Sequence, residues 1–293
     1  MGRTTRVLME GIYFGEGPRW HDGRLWFSDF YAHTVNSVSL AGDCRVELTL
    51  DDQPSGLGWM PDGSLLVVKM RARQVWRRWP DGRFALHADL AAHHAFLSND
   101  MVVDGQGRAY VGDFGFDLHR ELRTRGPEAV LADHPTGNVV RVDPDGSVTV
   151  AAADMHFPNG TVISPDGQRL ICGETLAAQL TMFDIAADGA LSGRRAFAAT
   201  APRVPDGICL DAEGAVWISN PLGPECVRIA EGGEVLQVIE TGDLCTFACM
   251  LGGPEGRHLF IMAAPTSDDD TVSTQKLGKI LVAEVGVPGA GWP

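Results

Sequence analysis

Short apolar runs separated by a glycine-bearing turn recur along the chain, and their spacing is that of strands. The first instance is Glu16-Gly17-Pro18-Arg19-Trp20, a turn at Asp22-Gly23, then Leu25-Trp26-Phe27-Ser28-Asp29. The second runs from Ser55-Gly56-Leu57 across Asp62-Gly63 to the apolar stretch 65–68, and the third from Asn99-Asp100-Met101 across Gly105-Gln106-Gly107 to Ala109-Tyr110-Val111. The fourth is Asn159-Gly160-Thr161, Asp166-Gly167, Leu170-Ile171-Cys172; the fifth is Asp206-Gly207-Ile208, Glu213-Gly214, Val216-Trp217-Ile218. The sixth is Ala248-Cys249-Met250, Glu255-Gly256, Leu259-Phe260-Ile261. Each reads as a β-hairpin whose turn glycine supplies positive φ. Further strand-like runs follow at 34–40, 74–79, 138–142 and 180–185, giving about four strands per unit.

The six leading residues are separated by 39, 44, 60, 47 and 42 residues. Four-stranded units of this size predict a β-propeller. The expectation is therefore an all-β, six-bladed propeller over residues 1–293 as one domain, with four-stranded antiparallel blades around a central channel. The stretch 4–9 precedes the first inner strand and is placed to complete the last blade, which removes a free edge. Two β-sandwiches would leave six in-phase hairpins unexplained.

In a propeller the first strand of each blade lines the channel, so residues distant in sequence become one ring. That ring holds Glu16, Asn99, Asn159 and Asp206, completed by Ser55 and Ala248. Carboxylates brought together repel and take up a proton unless a cation neutralises them. Carboxylate and amide oxygens suit hard divalent cations such as Ca²⁺, Mg²⁺ or Mn²⁺. The plainer alternative is that these residues bind channel waters and turn backbone.

Composition narrows the picture. There are 35 glycines in 293 residues, about 12% against a usual ~7%, which disfavours a helical bundle. The net charge of −14 lacks the basic clusters that neutralise phosphates, so no nucleic-acid partner is expected. No apolar run approaches a membrane span and the stretch 1–10 lacks a leader's apolar core, so a cytoplasmic location without a membrane partner is the default. The six cysteines, Cys44, Cys172, Cys209, Cys226, Cys245 and Cys249, read as structural thiols, not a disulfide framework. No nucleophile elbow, His-Glu-x-x-His helix or phosphate loop occurs. His93-His94, His119, His134 and His156 read as solvated loop histidines. Asp268-Asp269-Asp270 reads as a solvated acidic run, with a second ion site as the alternative.

The second strand of each hairpin returns to the channel mouth, so the loops that follow it surround the mouth. The longest, 114–136, holds Phe116, Asp117, His119, Arg120, Glu121, Arg123 and Arg125. Loops of this length are often functional, and this one is expected to border a substrate pocket, with its arginines either orienting an anionic or hydroxylated substrate or solvated.

Four motifs, Glu16-Gly17-Pro18 with Trp20, Ser98-Asn99-Asp100, Phe157-Pro158-Asn159-Gly160 and Pro205-Asp206-Gly207, stand in order at blade spacing. On them the chain resembles the senescence-marker-protein/regucalcin/gluconolactonase (SMP-30/gluconolactonase/LRE-like) family of six-bladed propellers. The resemblance implies one divalent metal ion held by Glu16, Asn159 and Asp206. Ca²⁺ is the first expectation, with Zn²⁺, Mn²⁺, Mg²⁺ and Fe²⁺ left open. It also implies a lactonase, a carboxylic ester hydrolase that opens a lactone with metal-activated water, Asp206 as general base and Asn99 on substrate or water. The expected substrate contacts are Asn99, Asp100, Phe114, Phe116 and Glu121. One departure matters: sugar-lactone members often carry arginine where Leu97 stands. With Phe96, Phe114 and Phe116 nearby, this points to a less polar pocket for an aliphatic or aromatic lactone or ester. The rival readings are another ester or phosphoester hydrolase, a lyase or an isomerase on the same site, and a non-enzymatic calcium-binding propeller. Sequence leaves the oligomeric state open.

Overall fold

A computed structural model describes residues 5–291. The expected strand position Thr4 and the start of the stretch weighed as a leader lie outside the described residues.

β1 (Arg6–Ile12) precedes the first blade, which is β2 (Gly15–His21), β3 (Arg24–Asp29), β4 (Thr34–Val38) and β5 (Cys44–Thr49). The second blade is β6 (Pro54–Trp59), β7 (Leu65–Lys69), β8 (Gln74–Arg78) and β9 (Phe84–Asp89). In the third, β10 (Ser98–Val103) and β11 (Ala109–Asp113) are followed by helices α1 (Leu118–Arg125) and α2 (Pro127–Ala132), then β12 (Gly137–Val142) and β13 (Val148–Met155). The fourth is β14 (Pro158–Ile163), β15 (Arg169–Glu174), β16 (Gln179–Ile185) and β17 (Leu191–Ala199); the fifth is β18 (Ile208–Leu210), β19 (Val216–Ser219), β20 (Glu225–Ile229) and β21 (Val235–Glu240). In the sixth, β22 (Cys245–Gly252) and β23 (His258–Ala264) precede helix α3 (Asp269–Val272) and β24 (Gly278–Glu284). β1 pairs antiparallel with β24, from Arg6 opposite Val282 to Ile12 opposite Gly278. The N-terminal strand thus completes the sixth blade, and the fold is a six-bladed β-propeller.

The hairpin turns form for the reason the sequence suggested. Gly23, Gly63, Gly107, Gly167, Gly214 and Gly256 all have positive φ, from 67° to 81°, a region that costs any side chain with a Cβ. The alternating apolar residues fill the space between blades: Leu25, Phe27, Tyr110, Trp217 and Phe260 are wholly buried, each such side chain stabilising by about 1.5–3 kcal/mol. Inner strands approach so closely that a Cβ on Gly56 would lie 2.4 Å from the Met101 nitrogen, and one on Gly160 2.4 Å from the Ile208 nitrogen.

Buried acids at the ends of the second strands have a structural task. Asp29 accepts the backbone N–H groups of Tyr13 and Phe14 at 3.0 and 3.2 Å. Asp113 accepts those of Ala95 and Asn138 at 2.9 and 2.6 Å, and Glu174 that of His156 at 2.7 Å. Each ties the segment entering a blade to the strand that returns to the mouth. Among the described residues no helix is long and apolar enough to cross a membrane.

Candidate active site

The inner strands carry a local irregularity that aims the site. Pairing between β2 and β3 shifts register between Glu16 and Arg19, and that between β6 and β7 shifts between Pro54 and Leu57. The same happens between Ser98 and Met101 and between Pro158 and Thr161. Glu16 begins the first irregular stretch, and Ser55, Asn99 and Asn159 lie inside the other three. Such β-bulges bend a strand and redirect side chains. In the fifth blade Asp206 precedes β18, a strand shorter than the run 206–210 suggested, and its own N–H donates to the Ser219 carbonyl at 3.1 Å.

Glu16, Asn99, Asn159 and Asp206 come together on the floor of a cavity of about 790 Å³. Ser55 Oγ donates to Asn99 Oδ1 (3.1 Å), Asn99 Nδ2 to Asn159 Oδ1 (3.2 Å), and Asn159 Nδ2 to Thr175 Oγ1 (3.3 Å). Thr175 in turn donates to the Pro205 carbonyl at 2.8 Å. This chain fixes both amide planes, with Asn159 Oδ1 turned toward Asn99. Ala248, the sixth leading residue, is buried against the inner-strand core.

Electrostatics at the floor are unbalanced. Burial pushes the Glu16 carboxyl well above the usual carboxylate range, and the charges of Asp206 and Asp100 push it further. The Gly17 N–H at 3.1 Å and the nearby Arg19 offset only part of this. Asp206 is raised in the same way, first by burial and then by Asp100 and Cys249, against the lowering influence of the Asn159 amide. Charged forms are disfavoured here unless a cation joins them. The donor chemistry fits such a cation: two carboxylates and an amide oxygen, all hard ligands. Among the described residues no three His, Cys, Asp or Glu side chains form a metal cage by themselves, so an amide would have to supply the third donor.

Asp100 and Glu121 do not line the cavity. Asp100 turns into the channel beneath the ring, where it pairs with Arg19 at 3.0 Å; both side chains are buried. Arg19 also donates to the carbonyls of Pro18 (2.7 Å) and Met101. Glu121 faces outward on α1 and pairs with Arg125 at 3.1 Å. The segment 114–136 borders the cavity, and it is folded into two helices. Asp117 caps α1 by accepting the Arg120 N–H at 2.9 Å, and Gly126, with φ 78°, links it to α2. Its arginines stay outside the cavity, and Arg125 is spent on the Ala129 and Asp133 carbonyls. Its aromatics turn inward: Phe114 stacks on Phe157 with centroids 4.6 Å apart, and Phe116 meets the edge of Phe157. Phe157 adopts φ 60°, an uncommon conformation for a bulky residue, two positions before Asn159. Phe14 packs on Phe247 at 4.7 Å to form the opposite wall.

Several histidines read as solvated are buried or half-buried. His94 is buried, with Nδ1 2.7 Å from Ser98 Oγ; burial depresses its pKa to about 4. His134 and His156 share a contact of 3.0 Å between Nε2 and Nδ1, and His134 Nδ1 lies 2.8 Å from the Val130 carbonyl of α2. His119 lines the cavity and lies 3.8 Å from Asp269, which accepts the Tyr31 hydroxyl at 2.7 Å. The Asp268-Asp269-Asp270 run starts α3, with Asp268 as its cap. All six cysteines are free thiols, with Cys209 and Cys249 3.8 Å apart in the core. Sequence reasoning gave Arg19, Tyr31, Arg71 and Thr175 no part in the site. Only Arg19 carried a signal, a cation in a strand of channel-lining residues.

A model of the SMP-30/gluconolactonase/LRE-like region matches residues 14–265. The chain is 29% identical over 276 residues to pentonolactonase XacC from Haloferax volcanii, covering 91% of this chain and 87% of that one. It is 28% identical over 309 residues to 6-deoxy-6-sulfogluconolactonase from Pseudomonas putida, covering 100% and 99%. Among solved structures it is similar in fold to a calcium-binding regucalcin from Agrobacterium tumefaciens, with a TM-score of 0.79 at 24% identity over 100% of this chain and 96% of that one. The family match covers far more than half of the residues, and the chain belongs to the SMP-30/gluconolactonase/LRE-like family.

Proposed function

We propose that this protein is a lactonase that opens the ring of a small-molecule lactone, or cleaves a related ester, by attack of water on the carbonyl carbon. One observation carries the reading: two carboxylates and two carboxamides from four blades meet on the floor of one walled cavity. The lactonases among its relatives support the reaction class.

Glu16, Asn159 and Asp206 would hold one divalent cation, for which Ca²⁺ is the first expectation given an all-oxygen donor set. Bound there, it would supply Lewis-acid polarisation of the carbonyl and a more acidic water. Asp206 is the less enclosed of the two carboxylates and faces the cavity. It takes the proton of the attacking water and returns it to the alkoxide that leaves when the ring opens. Asn99 spends one N–H on Asn159; its second N–H is available to the developing oxyanion, a role worth about 2.7–4 kcal/mol where one such donor has been removed. The phenylalanine walls keep bulk water away and strengthen these interactions.

The test is hydrolysis of sugar, aliphatic and aromatic lactones before chelation, after it, and after return of single divalent cations. Chelation is expected to abolish turnover and one cation to restore it. Asp206→Asn is expected to lower kcat by about 10²–10⁴. Full activity in Asp206→Ala overturns the assignment.

A further inference from the structure

The cavity is larger and more one-sided in charge than a sugar lactone needs. Its volume of about 790 Å³ lies in the upper part of the ~300–1,000 Å³ range that encloses drug-sized ligands. A single hydroxylated ring on the floor would leave most of it filled with water against phenylalanine and leucine. Leu97 has no hydrogen bond to offer sugar hydroxyls and packs with Phe14, Phe30 and Phe247. Above these walls the rim is acidic. Asp117 belongs to the lid segment 114–136, and Asp269 and Asp270 begin α3, which precedes β24. With Glu16 and Asp206 on the floor, five carboxylates line the space against one guanidinium, Arg71, and one imidazole, His119. Arg71 is held by Gln53 Oε1 at 3.0 Å, and the lid arginines lie outside. One divalent cation on the floor still leaves carboxylates in excess.

We infer, building on the lactonase reading, that the substrate is a lactone with a large apolar body and no anionic group, whose distal end is neutral or cationic. The floor takes the ester group, the aromatic walls take the body, and Asp117, Asp269 and Asp270 face the tail. An anionic tail meets like charge in a cleft whose apolar walls focus the field. A cationic one is drawn in, more strongly at low salt because the rim is exposed and screened.

The experiment uses the full chain with its divalent cation. The substrates are three δ-lactones that share one ring and one alkyl chain and end in methyl, ammonium or carboxylate, with glucono-δ-lactone as the polar comparator. The expected kcat/KM for the methyl and ammonium forms exceeds that of the carboxylate form by about tenfold or more at low salt. That gap narrows at high salt and in an Asp269→Asn/Asp270→Asn variant. Equal rates for the carboxylate form, or a faster reaction with glucono-δ-lactone than with the alkyl lactones, overturns the inference. Cyclic ethers of the same three shapes, which cannot be hydrolysed, are titrated in parallel. If they bind in the expected order while no lactone is opened, the lactonase reading fails and the pocket chemistry stands. If the lactones are opened while the ethers and lactones show no preference, the pocket chemistry fails and the lactonase reading stands.

Discussion

Replacing Arg19 by methionine isolates the ion pair beneath the ring. The Arg19 and Asp100 side chains are 4% and 10% exposed and lie 3.0 Å apart, so solvent screens them little. Without the guanidinium, Asp100 keeps, among the described residues, the Met101 N–H at 2.8 Å and stands uncompensated beside Glu16 and Asp206. Removing one partner of a buried pair costs about 3–5 kcal/mol, and the lost aliphatic stem adds to it. Asp100→Asn is expected to cost less, because Arg19 retains the carbonyls of Pro18 and Met101. The double variant is expected to cost less than the two singles together, since neither charge is then left alone. Urea unfolding followed by circular dichroism at pH 8, in chelator, reads all four proteins. A cation titration then reads the charge of the ring: the melting temperature of Arg19→Met is expected to rise more with Ca²⁺ or Mn²⁺ than that of the parent, and that of Asp100→Asn less. Single variants within 1 kcal/mol of the parent with strictly additive effects would refute the claim that the pair acts as a unit.

Two further outcomes follow from the geometry. Because its pKa is depressed to about 4, His94 contributes stability that is full above the unfolded value near 6.5 and is lost as pH falls toward 4; the difference amounts to about 3 kcal/mol, and stability–pH profiles of the parent and His94→Gln should diverge over that window, with parallel profiles contradicting the account. Gly160→Ala would place a methyl 2.4 Å from the Ile208 nitrogen; the forced shift is expected to cost ~1–3 kcal/mol and to lower kcat by displacing Asn159 and Asp206, whereas unchanged stability would show that the inner strands can part freely.

Much of the fold was legible because one physical rule repeats. A period of two with a positive-φ glycine at each turn specifies hairpins, and six in phase specify blades. The ring was legible for a related reason: polar residues beside glycine at the start of an otherwise apolar run mark a bulge where a strand meets its neighbour. The lid helices were not legible, because α1 and α2 span only 8 and 6 residues, too short for a helical period to stand out. His94 was misread because the groups that surround it come from elsewhere in the chain, including Asp113 and Val111. Asp100 was placed at the substrate because its neighbour Asn99 faces the cavity, yet successive strand residues point to opposite sides.

The position that follows each leading residue explains why Asp100 turns away. In four blades it is Gly17, Gly56, Gly160 or Gly207, and a Cβ on any of them would lie 2.8 Å or less from the adjoining inner strand. The third blade breaks this rule with a charged side chain, which folds only if it is received by an opposite charge. Arg19 supplies that charge from the first blade, 81 residues away. The cancellation is local: it consumes the cation nearest the ring and leaves Glu16 and Asp206 without an ion pair among the described residues. Glu16 and Asp206, two carboxylates that repel each other, then face one cavity, and a divalent cation bound there would offset both charges. The charge state of the cavity floor is therefore set in part by a pair that does not line the cavity, and sequence distance alone conceals it.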